Sequence, residues 1–187
     1  MKIALHARCR VIFDEFNATN INYKRMNHVT FEYIGTIYTP YQSLDNMPIQ
    51  PSGAKDAQGY ILINDEFVEG LKDMDGFSHI TLIYHLNKVT GHQLSVVPYM
   101  DDKAHGVFAT RSPKRPNAIG LSTVKLERVE GNKLFVREVD MLNETPLLDI
   151  KPFFRQADNR MDATSGWLEK KDQSIVFKTK SDDRFVD

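Results

Sequence analysis

Apolar and polar residues alternate along much of this chain with the period of a β-strand. Between residues 28 and 38, Val29, Phe31 and Tyr33 alternate with polar neighbours, and apolar character continues through Ile34 and Ile37 as far as Pro40. That pattern predicts a strand with one buried face. The run 77–86 (FSHITLIYHL) is apolar on both faces and rich in β-branched residues, which predicts a central strand covered on both sides. Short apolar runs at 59–63, 94–99 and 106–110 predict further strands. Residues 119–129 alternate well, and Gly131-Asn132 turns them into 133–139 as a hairpin. A last strand pair is expected at 166–170 and 174–179, and only 65–72 reads as a helix, with Asp65 as its N-cap. Many short strands, one or two short helices and long loops specify a mainly β fold, a single β-barrel.

Composition narrows the function classes. The chain has 187 residues, 41% hydrophobic and 26% charged, the profile of one globular domain. Its 24 Lys and Arg balance 25 Asp and Glu, for a net charge of -1. Such a balance argues against binding nucleic acid with the whole surface, so a polyanion would have to meet a local patch. The single cysteine, Cys9, excludes an internal disulfide and any multi-cysteine metal site, and it fits a reducing, cytoplasmic compartment. No apolar run approaches the roughly 20 residues that span a bilayer. All ten glycines are isolated, so the dinucleotide-binding, Walker-type and nucleophile-elbow signatures are absent.

Chemistry concentrates in the loops. In 106–122 (GVFATRSPKRPNAIGLS), Arg111, Ser112, Lys114, Arg115 and Asn117 lie on a segment stiffened by Pro113 and Pro116, which lowers the cost of holding polar groups in one geometry. From Lys103 to Arg128 six basic residues face one acid, Glu127, the clearest basic segment in the chain. His79 and His85 share parity on the 77–86 strand. His79, mid-strand, suits a hydrogen-bonded structural role; His85, at the strand's end, is the better site residue. A metal site lacks a third ligand, and a His6–Cys9 nucleophile pair has nothing to activate the thiol.

The segments IGTIYTPY (34–41), PIQPSG (48–53), LKDMDGFSHITLIYHL (71–86), GVFATRSPKRPNAIGLS (106–122) and NETPLLDIKPF (143–153), in this order, resemble the TsaA-like, or TrmO, family. The resemblance implies a β-barrel methyltransferase that uses S-adenosylmethionine. It also implies a homodimer that N6-methylates threonylcarbamoyladenosine beside the tRNA anticodon. Alternatives within that fold are another RNA or small-molecule acceptor, or a non-catalytic cofactor-binding module. The implied cofactor contacts are Pro48, Ile49 and Gln50; His85 and Leu86; Arg111; Leu121; and Asn143, Glu144, Thr145 and Pro146. The family's usual Asp-Gly-Thr-Pro is replaced here by Asn143-Glu144-Thr145-Pro146. Lys114, Arg115 and Asn117 are the expected tRNA contacts, and His85 is the candidate base. The expected organisation is an N-terminal extension over 1–28, with Met26 as a possible native start, the barrel over 29–153, and a strand pair packed on it over 154–187. The mixed charge of that last segment is not that of a dedicated RNA-binding tail.

Overall fold

The computed structural model describes residues 29–172, 174–182 and 184–185, and the fold below is that of the unit Phe31–Asp187. The expectations for His6, Cys9, Met26 and the 1–28 extension fall outside the described residues. Six antiparallel strands close into a barrel in the order β1 (Gly35–Tyr38), β2 (Gln58–Ile63), β7 (Lys133–Arg137), β6 (Ile119–Glu130), β3 (His79–His85), β8 (Thr145–Pro152), and β8 pairs back onto β1. A separate two-stranded sheet joins β4 (Ser95–Val96) to β5 (His105–Gly106).

Strand periodicity sends alternate side chains inward. Ile37, Ile61, Ile63, Ile80, Leu82, Val124, Leu134, Val136 and Leu147 fill the interior and are essentially inaccessible. Each aliphatic side chain withdrawn from water in this way contributes roughly 1.5–3 kcal/mol. The outer face carries its own ladder across β1, β2 and β7: Tyr38 stacks on Tyr60 at 4.7 Å between ring centroids, and Tyr60 lies 6.4 Å from Phe135. Arg128 of β6 caps this ladder, its guanidinium 3.5 Å from the Phe135 centroid. Glu130 and Lys133 face each other across Gly131-Asn132, with Gly131 at φ +59°, so the expected hairpin forms.

The structure corrects four expectations. β3 alternates buried and half-buried positions, so it is covered on one face only; its outward set is His79, Thr81, Ile83 and His85. The 106–110 strand shrinks to two residues before a 3-10 turn at Val107–Ala109. The helix at Asp65–Leu71 is also 3-10, preceded by Asn64 rather than capped by Asp65. Finally, 154–187 holds no strand pair among its described residues. Gly166–Lys170 is a 3-10 helix, and α1 (Arg155–Asp158) and α2 (Ile175–Lys178) are single turns. At 174–179 the β-branched alternation lost to local closure: Ser174 bonds through its side chain to Asp172, and the Thr179 N–H and hydroxyl both reach the Ile175 carbonyl.

The C-terminal segment instead fastens a loop. Pro48 bridges to Lys180, and the Ser181 N–H donates to the Met47 carbonyl at 2.8 Å. The loop before β2 is therefore clasped from outside the barrel.

Candidate functional site at the barrel mouth

Antiparallel pairing gathers the ends of β1, β3 and β7 and the starts of β2, β6 and β8 at one rim, because Tyr38 faces Tyr60, His85 faces Ile119, Gln58 faces Arg137 and Ile37 faces Thr145. Every loop expected to hold the cofactor leaves from this rim. The Arg111 guanidinium donates to Gln50 Oε1 at 2.8 Å across 61 residues, which joins the 48–53 loop to the 106–122 loop. The Thr39 N–H donates to Asn143 Oδ1 at 3.1 Å, and the Asn143 N–H donates to the Tyr41 carbonyl at 2.7 Å. The Thr145 hydroxyl donates to the Leu142 carbonyl at 2.7 Å. Gln50, Arg111 and Asn143 are thus held by contacts between loops that are remote in sequence.

Glu144 has φ +62°, a left-handed conformation where the family pattern carries Gly. Holding a residue with a Cβ in that conformation costs about 1 kcal/mol. The Asp-to-Asn change at 143 is also accommodated, since the side-chain oxygen is the atom that caps Thr39.

His85 pairs through Nδ1 with the Tyr33 hydroxyl at 2.6 Å, and the two rings stack at 5.9 Å. Leu86 is tied by its N–H to the Ala118 carbonyl at 2.8 Å, so the end of β3 meets the end of the 111–118 loop. Leu121 points outward from β6 and is exposed, like Ile119 two residues before it. A cleft of about 370 Å³ beside the first loop is lined by Tyr41, Pro48, Gly53, Phe177 and Lys180, among others, and includes neither Gln50 nor Arg111.

The structure disperses the basic segment. Lys114 is buried, its ammonium donating to the Thr90 carbonyl at 3.2 Å. Arg115 donates to the carbonyls of Thr110 at 2.8 Å, Val107 at 3.3 Å and Ser112 at 3.4 Å. Both cations are thus bonded to the loop's own backbone, Lys114 buried and Arg115 half-buried. Lys125 and Arg128 lie toward the opposite end of β6 from the mouth. Asn117 and Arg111 remain exposed on the loop.

One residue was missed. Asp140, between β7 and β8, accepts from the Ser122 hydroxyl at 2.7 Å, and Ser122 is joined to the Tyr84 hydroxyl at 3.0 Å. Burial pushes the Asp140 carboxyl up to about 6, against the pull of the Ser122 hydrogen bond and the nearby Arg111 charge. The same burial, with Asp140 beside it, raises the Tyr84 phenol and keeps it protonated. Gly120 makes room for this arrangement, because a Cβ at that position would run into the Tyr84 ring. A lone Asp between Val139 and Met141 carries no pattern; only its approach to Ser122, 18 residues earlier, reveals it. Among the described residues, no group of three His, Cys, Asp or Glu is placed to hold a metal ion.

Residues 36–159 match the family model for the tRNA-methyltransferase O N-terminal domain. A probable S-adenosyl-L-methionine-binding protein of Pyrococcus abyssi is 47% identical over 157 residues, which cover 84% of this chain and 85% of that one. The human tRNA (adenine(37)-N6)-methyltransferase is 33% identical over 136 residues, 68% of this chain but 31% of its own length. The crystal structure of TrmO from Pseudomonas aeruginosa superposes with a TM-score of 0.64 at 33% identity, covering 75% of this chain and 62% of that one. This chain thus spans about a third of the human enzyme and less than two thirds of the solved bacterial one. The barrel, its mouth loops and the extent of these matches together make the chain a member of the TrmO family.

Proposed function

We propose that this protein is an S-adenosylmethionine-dependent methyltransferase that modifies N6 of an adenosine in tRNA, the nucleoside next to the anticodon. The observation that carries the reading is the Gln50–Arg111 bridge, which locks two of the loops into one rim beside the partly buried Asp140. The donor set fits a zwitterionic, adenine-bearing cofactor: an exposed guanidinium for its carboxylate, and loop backbone and amide groups for its base. When bound, that cofactor supplies a methyl group on a positively charged sulfur.

The chain's own residues perform three tasks. Gln50 orients Arg111, and Asp140, fixed by Ser122, sets the electrostatic field around that guanidinium, so Asp140 is a positioning residue. The rigid mouth holds donor and acceptor in line, which is the main requirement of a displacement at carbon. The acceptor nitrogen would have to lose a proton in the course of the transfer, so the mouth needs a group that can take it. His85 accepts that proton in the tautomer whose Nδ1–H donates to Tyr33, which leaves Nε2 unprotonated. Residues 29–153 carry this chemistry, and 154–187 brace it. Exposed Ile119 and Leu121, on one face of β6, support assembly as a homodimer. The lone cysteine supports a cytoplasmic location. No helix among the described residues is long and apolar enough to cross a membrane.

The test supplies methyl-labelled cofactor and an anticodon stem-loop RNA with and without threonylcarbamoyl on its adenosine. Label is expected in the modified RNA. Arg111→Ala should lower cofactor affinity at least about 10-fold by calorimetry, the loss of one charge-assisted contact. Cofactor binding with no transfer to any RNA would overturn the enzymatic reading.

A further inference from the structure

With Lys114 and Arg115 committed to the loop, the remaining cations assemble elsewhere. A cleft of about 470 Å³ is lined by Asp101, Lys103, His105, Gly166, Trp167, Lys170 and Lys171. Asp101 accepts from His105 Nε2 at 3.0 Å and from Lys171 Nζ at 2.7 Å, and these two bonds hold its carboxyl well below the usual carboxylate range. That acid is therefore already neutralised from within the cleft. Among the described residues, Lys103 and Lys170 are exposed and have no carboxylate partner, so the cleft keeps an excess of positive charge. Trp167 stacks on His105 with ring centroids 4.4 Å apart and planes 20° apart. Its indole N–H donates to the Ala109 carbonyl at 2.8 Å, two residues before Arg111. An aromatic plane is thus pinned, by a hydrogen bond, to the loop that carries the mouth's guanidinium. Two residues span no more than about 8 Å of chain, so the Trp167 contact at Ala109 and the mouth's Arg111 are neighbours along one stretch of loop.

Fixed aromatic planes flanked by lysines are the chemistry of single-stranded nucleic-acid binding, in which bases stack and phosphates are neutralised. We propose that this cleft is the seat of a nucleotide flanking the methylated adenosine, its base stacked against Trp167 and its phosphate between Lys103 and Lys170. The proposal rests on the RNA-methyltransferase reading above. It also gives the 154–187 segment a direct part in RNA capture, where its overall charge balance gave no hint of one.

Trp167 is the sole tryptophan, so its emission reports on the cleft alone. Titrating the whole protein with anticodon stem-loop RNA should quench that emission along the same curve as RNA binding. The double variant Lys103→Ala/Lys170→Ala should lose at least about 10-fold in RNA affinity, and its log K against log salt slope should be shallower by about 0.7, the value for the one phosphate the two lysines share. Its calorimetric affinity for S-adenosylmethionine should be unchanged, because neither lysine lies at the mouth. Wild-type protein that binds and methylates RNA while the double variant matches it in affinity and salt slope would overturn the cleft alone. Emission that stays constant at saturating RNA, or that responds to adenosine monophosphate and not to the RNA, would do the same. Wild-type protein that neither binds nor methylates any RNA would overturn the acceptor reading and the cleft together.

Discussion

Asp140→Asn isolates what the buried carboxyl costs and what it does. The carboxyl sits at about 6 in the folded protein against an ordinary value of 3.8. The folded state therefore holds this proton more tightly than the unfolded chain does. Stability from this group is fully present below pH 3.8 and is lost as pH rises through about 6. The gap corresponds to about 3 kcal/mol, at about 1.4 kcal/mol per pH unit, paid in full above pH 7. Asparagine keeps an oxygen for the Ser122 hydroxyl but cannot ionise. Relative to wild type, the variant should gain about 2.4 kcal/mol between pH 4 and pH 7.5, since part of the penalty is already present at pH 4, and any fixed cost of the amide cancels in that difference. For a chain of this size the gain is about 5–10 °C in melting temperature. Urea unfolding at pH 4, 5.5 and 7.5 reads the effect, and cofactor calorimetry at pH 7.5, where wild-type Asp140 is ionised, should show weaker binding because Arg111 loses its counter-charge. A stability difference that stays flat from pH 4 to 7.5 would refute the argument. Gained stability with lost binding is the trade expected of a group kept for function.

Two further substitutions examine the backbone around the site. Gly120→Ala forces the Tyr84 ring out of its place over β6, and overpacking of this kind should cost about 1–3 kcal/mol in chemical denaturation while also weakening cofactor binding through the Tyr84–Ser122–Asp140 chain. Glu144→Gly relieves the left-handed conformation and should stabilise the fold by about 1 kcal/mol with cofactor affinity preserved; destabilisation would mean that the Glu144 side chain itself holds the loop.

Several strands were legible: β6 and β7 from their alternation about Gly131-Asn132, and β2 and β3 as apolar runs at 59–63 and 77–86. β8 was not among the expected strands, its short apolar run being bracketed by Pro146 and Pro152. In the barrel Pro146 lies opposite Thr36 at the rim and Pro152 closes the strand, positions where a missing N–H is tolerated. Along 28–38 the alternating aromatics Phe31 and Tyr33 are largely exposed, and the strand starts only at Gly35. Tyr33 is used instead as the partner of His85. The mouth was legible through motif resemblance, and its loops do meet at Arg111 and Gln50. What escaped were groups defined by long-range packing. Asp140 needs Ser122 and Tyr84 to become a site residue, and Lys114 and Arg115 read as surface charges because sequence does not display the carbonyls that absorb them.

Closure of the barrel sets the order in which this chain can become native. Gly35 pairs with Leu147, 112 residues later, so β1 has only one neighbour until β8 has been synthesised. While β1 waits, its second row of N–H and C=O groups is an open edge, the kind that recruits a second chain. Pairings over such separations are slow to form, because the loop-closure entropy is spent before any contact repays it. The same final zipper of β8 onto β1 and β3 draws Asn143 and Thr145 to the rim. The mouth is therefore complete only once β8 has closed the barrel.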